Sequence, residues 1–129
     1  MSGKYLLDTN IIIALVANDT AVLQRFADAS EIFIPCIVVG ELYYGARRSN
    51  RISENVAQVD ELAASNVILD CDLETARHYG RIKDNLRQKG HPVPENDLWI
   101  AALALQHDLT LVSRDTHFDH ISALNLEAW

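Results

Sequence analysis

The chain has 129 residues, 49% of them hydrophobic and 22% charged, with a formal net charge of −7. That is one domain's worth of sequence, and a folded chain of this size buries roughly two thirds of the surface its unfolded form exposes. The composition excludes disorder, and the apolar runs, Ile11 to Ala17 among them, are too short to cross a membrane as a helix.

In chain order, Met1-Ser2-Gly3-Lys4 leads straight into a strand-like segment, with no leader pattern, so the expected compartment is the cytoplasm. Lys4 to Asp8 reads as a buried strand ending on a carboxylate. Asn10 to Ala17 reads as a helix, and Asp19 or Thr20 caps a second one, Ala21 to Ala29. Glu31 to Pro35 is a short strand whose proline opens the helix Ile37 to Arg48. Glu54 to Ser65 belongs to an amphipathic helix, with Ile52, Val56, Val59 and Ala63 at helical spacing. Val67 to Leu69 is a third strand. Leu73 to Gln88 is a long helix whose expected apolar stripe is Leu73, Ala76, Tyr79, Ile82 and Leu86. Gly90 to Pro94 is a stop and a loop. Asn96 to Gln106 is apolar almost all round and is expected to be the central buried helix. Thr110 to Ser113 is a fourth strand, again followed by a carboxylate, Asp115, and Leu124 to Glu127 a small last one. Alternating strands and helices in a single domain, residues 1–129, predict an α/β fold with a mostly parallel sheet.

Cys36 and Cys71 lack zinc-site spacing and are expected to be buried, unbridged apolar residues. The acidic balance argues against a nucleic-acid partner, but eight of the eleven basic residues fall between positions 47 and 89. Arg47, Arg48 and Arg51 follow the helix that bears Glu41. They suit either an RNA backbone or a solvated helix end, where cations are favoured.

Four acids stand where a solvating charge is out of place. Asp8 and Asp115 follow strands, the position where open α/β sheets build their sites. Glu41 lies in the apolar stretch Ile37 to Tyr44, and Asp97 opens the apolar helix. Taken singly, Asp97 is an ordinary first-turn acid, and Asp8 and Asp115 are turn formers. Taken together, four converging carboxylates cannot all ionise without a cation, and oxygen ligands select Mg2+ or Mn2+. Two such ions would offset four of the seven net negative charges. A site of this kind suits phosphoryl transfer.

At these residues the chain resembles a family. Leu6-Leu7-Asp8-Thr9-Asn10, Pro35 through Glu41-Leu42 to Gly45, Asn96-Asp97 with Ala101, and Leu111-Val112-Ser113-Arg114-Asp115-Thr116-His117-Phe118 resemble the four acidic motifs of PIN-domain ribonucleases. Their order and spacing match over nearly the whole chain, and the nearest subgroup is the compact VapC-type toxin of bacterial toxin-antitoxin pairs. The resemblance implies a PIN-like three-layer fold, a central mostly parallel sheet flanked by helices. It implies a homodimeric Mg2+- or Mn2+-dependent endoribonuclease, held inactive by a cognate antitoxin that places a helix and a basic side chain in the acidic cleft. Carried over, Asp8, Glu41, Asp97 and Asp115 become the catalytic, metal-binding acids. Thr9 or Ser113 orients a ligand or phosphate, and Asn10 and Asn96 support the ligands. Asp119 is a possible fifth acid, and Arg114 a candidate substrate contact.

His117 lies near the fourth motif, where it either touches substrate or packs under the last loop, packing being the expectation. Tyr43 and Tyr44 are divided between the core and a partner surface, Trp99 is expected in the core, and Gly45 is expected to permit a close backbone approach. Three other functions compete. A haloacid-dehalogenase-type phosphatase wants a second aspartate where Asn10 stands. A receiver-like signalling domain wants a lysine where only Arg114 is offered. A non-catalytic partner-binding module has no need of four intact acids.

Overall fold

The computed structural model of the chain describes residues 3–129. Met1 and Ser2, where the search for a leader began, lie outside the described residues. Five strands form one sheet, β1 (Lys4–Leu7), β2 (Glu31–Pro35), β3 (Val67–Leu69), β4 (Thr110–Val112) and β5 (Leu126–Glu127). Their order is β3-β2-β1-β4-β5 and every pairing is parallel. Six helices flank the sheet: α1 (Thr9–Val16), α2 (Thr20–Asp28), α3 (Cys36–Arg47), α4 (Ile52–Ser65), α5 (Leu73–Lys89) and α6 (Glu95–Gln106). Helices cover both faces of most parallel sheets, which explains why Leu6, Leu7, Ile34, Leu111 and Val112 are all buried without alternation.

The chain runs outward from β1 to β2 and β3, then returns to place β4 on the other side of β1. That reversal makes the β1–β4 edge the topological switch point of the sheet, where crevices form at the carboxyl ends of strands. Register fixes what reaches the edge. Leu7 pairs with Val112, and the Asp8 N–H donates to the Val112 carbonyl at 3.0 Å, so Asp8 and Ser113 leave the sheet side by side.

The apolar α6 is the central buried helix, as its composition predicts. Leu98, Ile100, Ala101, Ala102, Leu103 and Ala104 are all buried. Each fully buried Leu or Ile contributes about 1.5–3 kcal/mol. Because both walls of α6 are anchored, the acid in its first turn has little freedom to move.

Two sequence expectations fail in the fold, and one element was not foreseen. Along α5 the buried positions are Thr75, Ile82 and Leu86, while Leu73 is 69% exposed and Ala76 is exposed too. The buried polar Thr75 closes a capping box with Asp72 and is hydrogen-bonded to Gln106 at the far end of α6, and this contact rotates the stripe. Cys36 and Cys71 are free, as expected, but exposed rather than buried. Cys36 opens α3 just after β2, and Cys71 follows the edge strand β3. The segment Thr116–His120, read only as sequence after a strand, is a 3₁₀ turn.

Candidate active site

The site is built outward from Asp8. Its side chain caps α1, accepting from the Thr9 N–H at 2.8 Å, and accepts the Ser113 hydroxyl at 2.7 Å. Ser113 also accepts from the Asp115 N–H at 3.0 Å, so one hydroxyl ties the end of β1 to the loop after β4. Asn10 reinforces this tie. Its amide donates to Asp8 at 3.4 Å and to Ser113 at 3.3 Å, and its carbonyl oxygen accepts from the Arg114 N–H at 3.2 Å. Position 10 is therefore a clamp between two strand ends, which is why an amide stands where the phosphatase reading wanted an acid.

Asp97 arrives from the first turn of α6 and Asp115 from the N-cap of the 3₁₀ turn. One ligand atom each from Asp97, Asp115 and His117 lies within 4.8 Å of the others. His117 Nδ1 lies 3.1 Å from Asp97 Oδ2 and 3.0 Å from Asp115 Oδ1. His117 thus bridges two acids instead of packing under the last loop. Phe118, the next residue, is the one buried there.

The charges of these acids are felt across the crevice. Asp8 is 5% exposed, and burial raises its pKa above the ordinary carboxylate value. The Ser113 and Thr9 hydrogen bonds oppose that rise, and the nearby Asp115 adds to it. Glu41, facing in from α3, is raised first by burial and then by the charges of Asp8 and Asp97, with the Thr9 hydroxyl working the other way. Asp97 is raised by burial, pulled back by His117, and raised again by Asp8 and Asp115. The structure therefore brings Asp8, Glu41, Asp97 and Asp115 within electrostatic reach. Asp8 and Glu41 flank the tighter Asp97–Asp115–His117 group.

The remaining sequence candidates divide. Thr9 and Asn96 line an open cleft of about 660 Å3 with Glu41, Tyr44, Gly45 and Arg48. Thr9 Oγ1 is buried at this edge and faces the Glu41 carboxylate. Ser113 spends its hydroxyl on Asp8. The Arg114 guanidinium is turned to Asp19 at 3.0 Å and to the Trp129 carbonyl at 2.9 Å, so only its backbone serves the acid edge. Asp119 is exposed on the 3₁₀ turn, outside the Asp97–Asp115–His117 group. A Cβ at Gly45 would meet nothing within 4 Å, so no close backbone approach within the chain requires that glycine. Trp99 is half-buried and stacks on Tyr79, with ring centroids 4.1 Å apart, rather than entering the core.

Sequence reasoning assigned His117 elsewhere, although its spacing held the signal. Two residues after Asp115, a 3₁₀ turn returns a side chain toward the residue that caps it, and the His117 N–H indeed donates to Asp115 at 2.9 Å.

An all-parallel sheet with acidic side chains at its switch point defines a class: a doubly wound α/β domain whose site lies at the carboxyl ends of its strands. The comparisons agree with that class. The PIN domain family model matches residues 5–124. The chain is 38% identical to ribonuclease VapC2 of Haemophilus influenzae, with 98% of each chain covered. It is 33% identical to the tRNA(fMet)-specific endonuclease VapC of Shigella flexneri, again over 98% of each. The structure of DNA-bound VapBC from Salmonella typhimurium superposes with a TM-score of 0.91 at 33% identity, covering 100% of this chain and 99% of that one. VapBC2 from Rickettsia felis, bound to a DNA fragment from its promoter, gives 0.87 at 32% identity over 97% and 98%. The chain belongs to the PIN-domain family and, within it, to the VapC ribonucleases of toxin-antitoxin systems. Among the described residues no helix is long and apolar enough to cross a membrane.

Proposed function

We propose that the chain is a divalent-metal-dependent endoribonuclease, the toxin of a toxin-antitoxin pair, with Asp8, Glu41, Asp97 and Asp115 as its metal-binding acids. The observation that carries this reading is the Asp97–Asp115–His117 group at the β1–β4 switch point, with Asp8 tied to the same loop through Ser113 and Glu41 feeling the charges of Asp8 and Asp97. Among the described residues none of the four acids is in an ion pair with a lysine or arginine. The carboxylate oxygens fit the ion, since all-oxygen donors suit Mg2+ or Mn2+, and the His117 imidazole is placed to hydrogen-bond two of them.

The chemistry such an ion supplies when bound is Lewis-acid stabilisation of a phosphodiester under attack, with a nucleophilic water available at neutral pH. The chain's own residues do the rest. Asp8 is held in one orientation by Thr9, Ser113 and Asn10, so the ligand geometry is set before substrate arrives. His117 holds Asp97 and Asp115 together, and Asn96 and Thr9 face the cleft where the phosphate enters. This chemistry leaves the RNA 2′-hydroxyl unused and predicts 5′-phosphate and 3′-hydroxyl ends.

Two relatives at 33% identity are named for tRNA(fMet), which makes that tRNA the first substrate to test. The related structures are toxin-antitoxin complexes, and the surface here suits such a partner. A groove of about 380 Å3 between α1, α3 and α4 runs from Ile13 and Val16, both exposed, to Glu41. An amphipathic antitoxin helix would cover its apolar wall. A second copy of the chain completes the expected assembly, and sedimentation would show it.

The deciding experiment incubates labelled tRNA(fMet) and a panel of other RNAs with the purified chain in Mg2+, Mn2+ or EDTA, beside Asp97→Ala. The expected result is metal-dependent cutting that the variant loses while keeping its circular dichroism spectrum. Equal cutting by the variant, or by the chain in EDTA, would overturn the reading.

A further inference from the structure

Helix α3 presents more than Glu41 to the cleft. Tyr44 and Arg48 follow Glu41 by three and seven residues, which places all three on one helical face. All three line the same open cleft, with Thr9 and Asn96 on the facing wall. Tyr44 is 63% exposed, unusual for an aromatic ring with no partner chain over it. Its orientation is set from one side only. The Arg48 guanidinium lies 5.5 Å from the ring centroid, and Arg48 Nη1 donates to the Tyr44 hydroxyl at 3.3 Å. Among the described residues Arg48, like Arg47, Arg81 and Arg87, has no carboxylate partner within ion-pair distance, but of these it alone lines the cleft that holds Glu41. Gly45 leaves the cleft wall beside the ring bare.

We propose that Tyr44 and Arg48 form a base-stacking subsite that holds one unpaired nucleobase next to the phosphate presented to the acids. An exposed ring steadied by a cation is a platform for a π-face, and every base has one. Bases in a duplex have both faces covered by their neighbours, so only an unpaired or splayed base reaches the ring. Arg48 carries its charge to the same place, where it meets the flanking phosphodiester and offsets the acids that would otherwise repel it. The subsite selects for an unpaired residue at one position relative to the cut, without reading which base it is. This proposal deepens the ribonuclease reading and rests on it for the position of the cut.

The test uses the full chain and an unpaired RNA of about ten nucleotides carrying one 2-aminopurine, moved position by position. Binding is read in EDTA, so that the RNA stays whole. The expected result is quenching of the fluorophore at one position, lost in Tyr44→Ala, with affinity reduced roughly 5- to 150-fold. Tyr44→Phe should keep the quench, and Arg48→Ala should flatten the salt dependence of binding. In metal-dependent cleavage Tyr44→Ala should raise KM more than it lowers kcat. Unchanged quenching and affinity in a folded Tyr44→Ala would overturn the proposal. So would Tyr44→Ala leaving RNA binding intact while breaking a dimer on sedimentation, which would assign the ring to a protein contact. A quench that survives when no RNA is cut in any metal would sink the ribonuclease reading and leave the base subsite standing.

Discussion

The acids of the β1–β4 edge and the acids of the α5–α6 face are held in opposite ways. At the α5–α6 face, Asp72 is lowered first by the Thr75 N–H and then by the Gln106 amide. Glu95 is lowered by Lys83 and by the Tyr79 hydroxyl. Each of these carboxylates has a donor of its own and is comfortable as an anion. At the sheet edge, Asp8, Glu41 and Asp97 are all raised, because burial and each other's charges outweigh the donors available. The first arrangement stabilises a fold. The second costs stability until a cation is bound, and a protein keeps such a cluster for what it binds. Asp97 and Glu95 make the contrast within one helical turn: two acids, two residues apart, one facing the crevice and the other paired with a lysine.

The largest expected difference between the two regions is in catalysis. Asp97→Asn should lower metal-dependent RNA cleavage by about a thousandfold or more, as expected for a ligand acting in the transition state. Glu95→Gln, two residues away, should leave the rate within a few fold, measured on the same labelled RNA. Equal losses in both would erase the distinction.

The next is ligand linkage. Mg2+ or Mn2+ at about a hundred times its Kd should stabilise the wild-type chain by roughly 2.7 kcal/mol. Thermal melting with and without the ion reads this. The shift should vanish in Asp97→Asn and survive in Glu95→Gln.

Third, Thr75→Val should destabilise the chain by about 1 kcal/mol, since it removes the hydroxyl that accepts the Asp72 N–H in the capping box and that meets the Gln106 side-chain oxygen. Urea titration reads the loss, and the metal-induced shift should remain.

The smallest effect is in pH dependence without metal. A carboxyl raised by folding binds its proton more tightly in the folded state. The stability it contributes is present below its unfolded pKa and is lost as pH rises through the folded value. A carboxyl lowered by folding contributes above its unfolded pKa and loses that contribution as pH falls through the folded value. In EDTA, the edge acids should therefore erode stability on the upper side of the carboxylate range, while Asp72 and Glu95 protect it there. Asp97→Asn should flatten the upper side only, seen as a smaller drop in melting temperature from pH 5 to pH 7.

Much of this was legible in the residues, and the failures share a cause. The strands were readable because buried parallel strands are short apolar runs between breakers, and α6 because it is apolar on every side. The four acids were readable because each interrupts an apolar context or ends a strand. What failed depended on contacts between distant residues. Thr75 is buried because Gln106, thirty-one residues on, meets its hydroxyl. Arg114 is diverted by Asp19, ninety-five residues earlier, and by the Trp129 carbonyl. Cys71 is exposed just past β3, which strand order places at an edge of the sheet.

By itself the sequence determined the alternation of elements and the parallel sheet and singled out four acids as candidates, since local periodicity and residue chemistry carry that information. Only the tertiary structure decided that the chain would reverse between β1 and β4. That reversal sets Asp8 beside Ser113, brings His117 between Asp97 and Asp115, and turns Tyr44 and Arg48 toward the same cleft. Side-chain chemistry is written residue by residue. Distances between residues a hundred positions apart are set by strand order and register, which emerge only when the whole core packs at once.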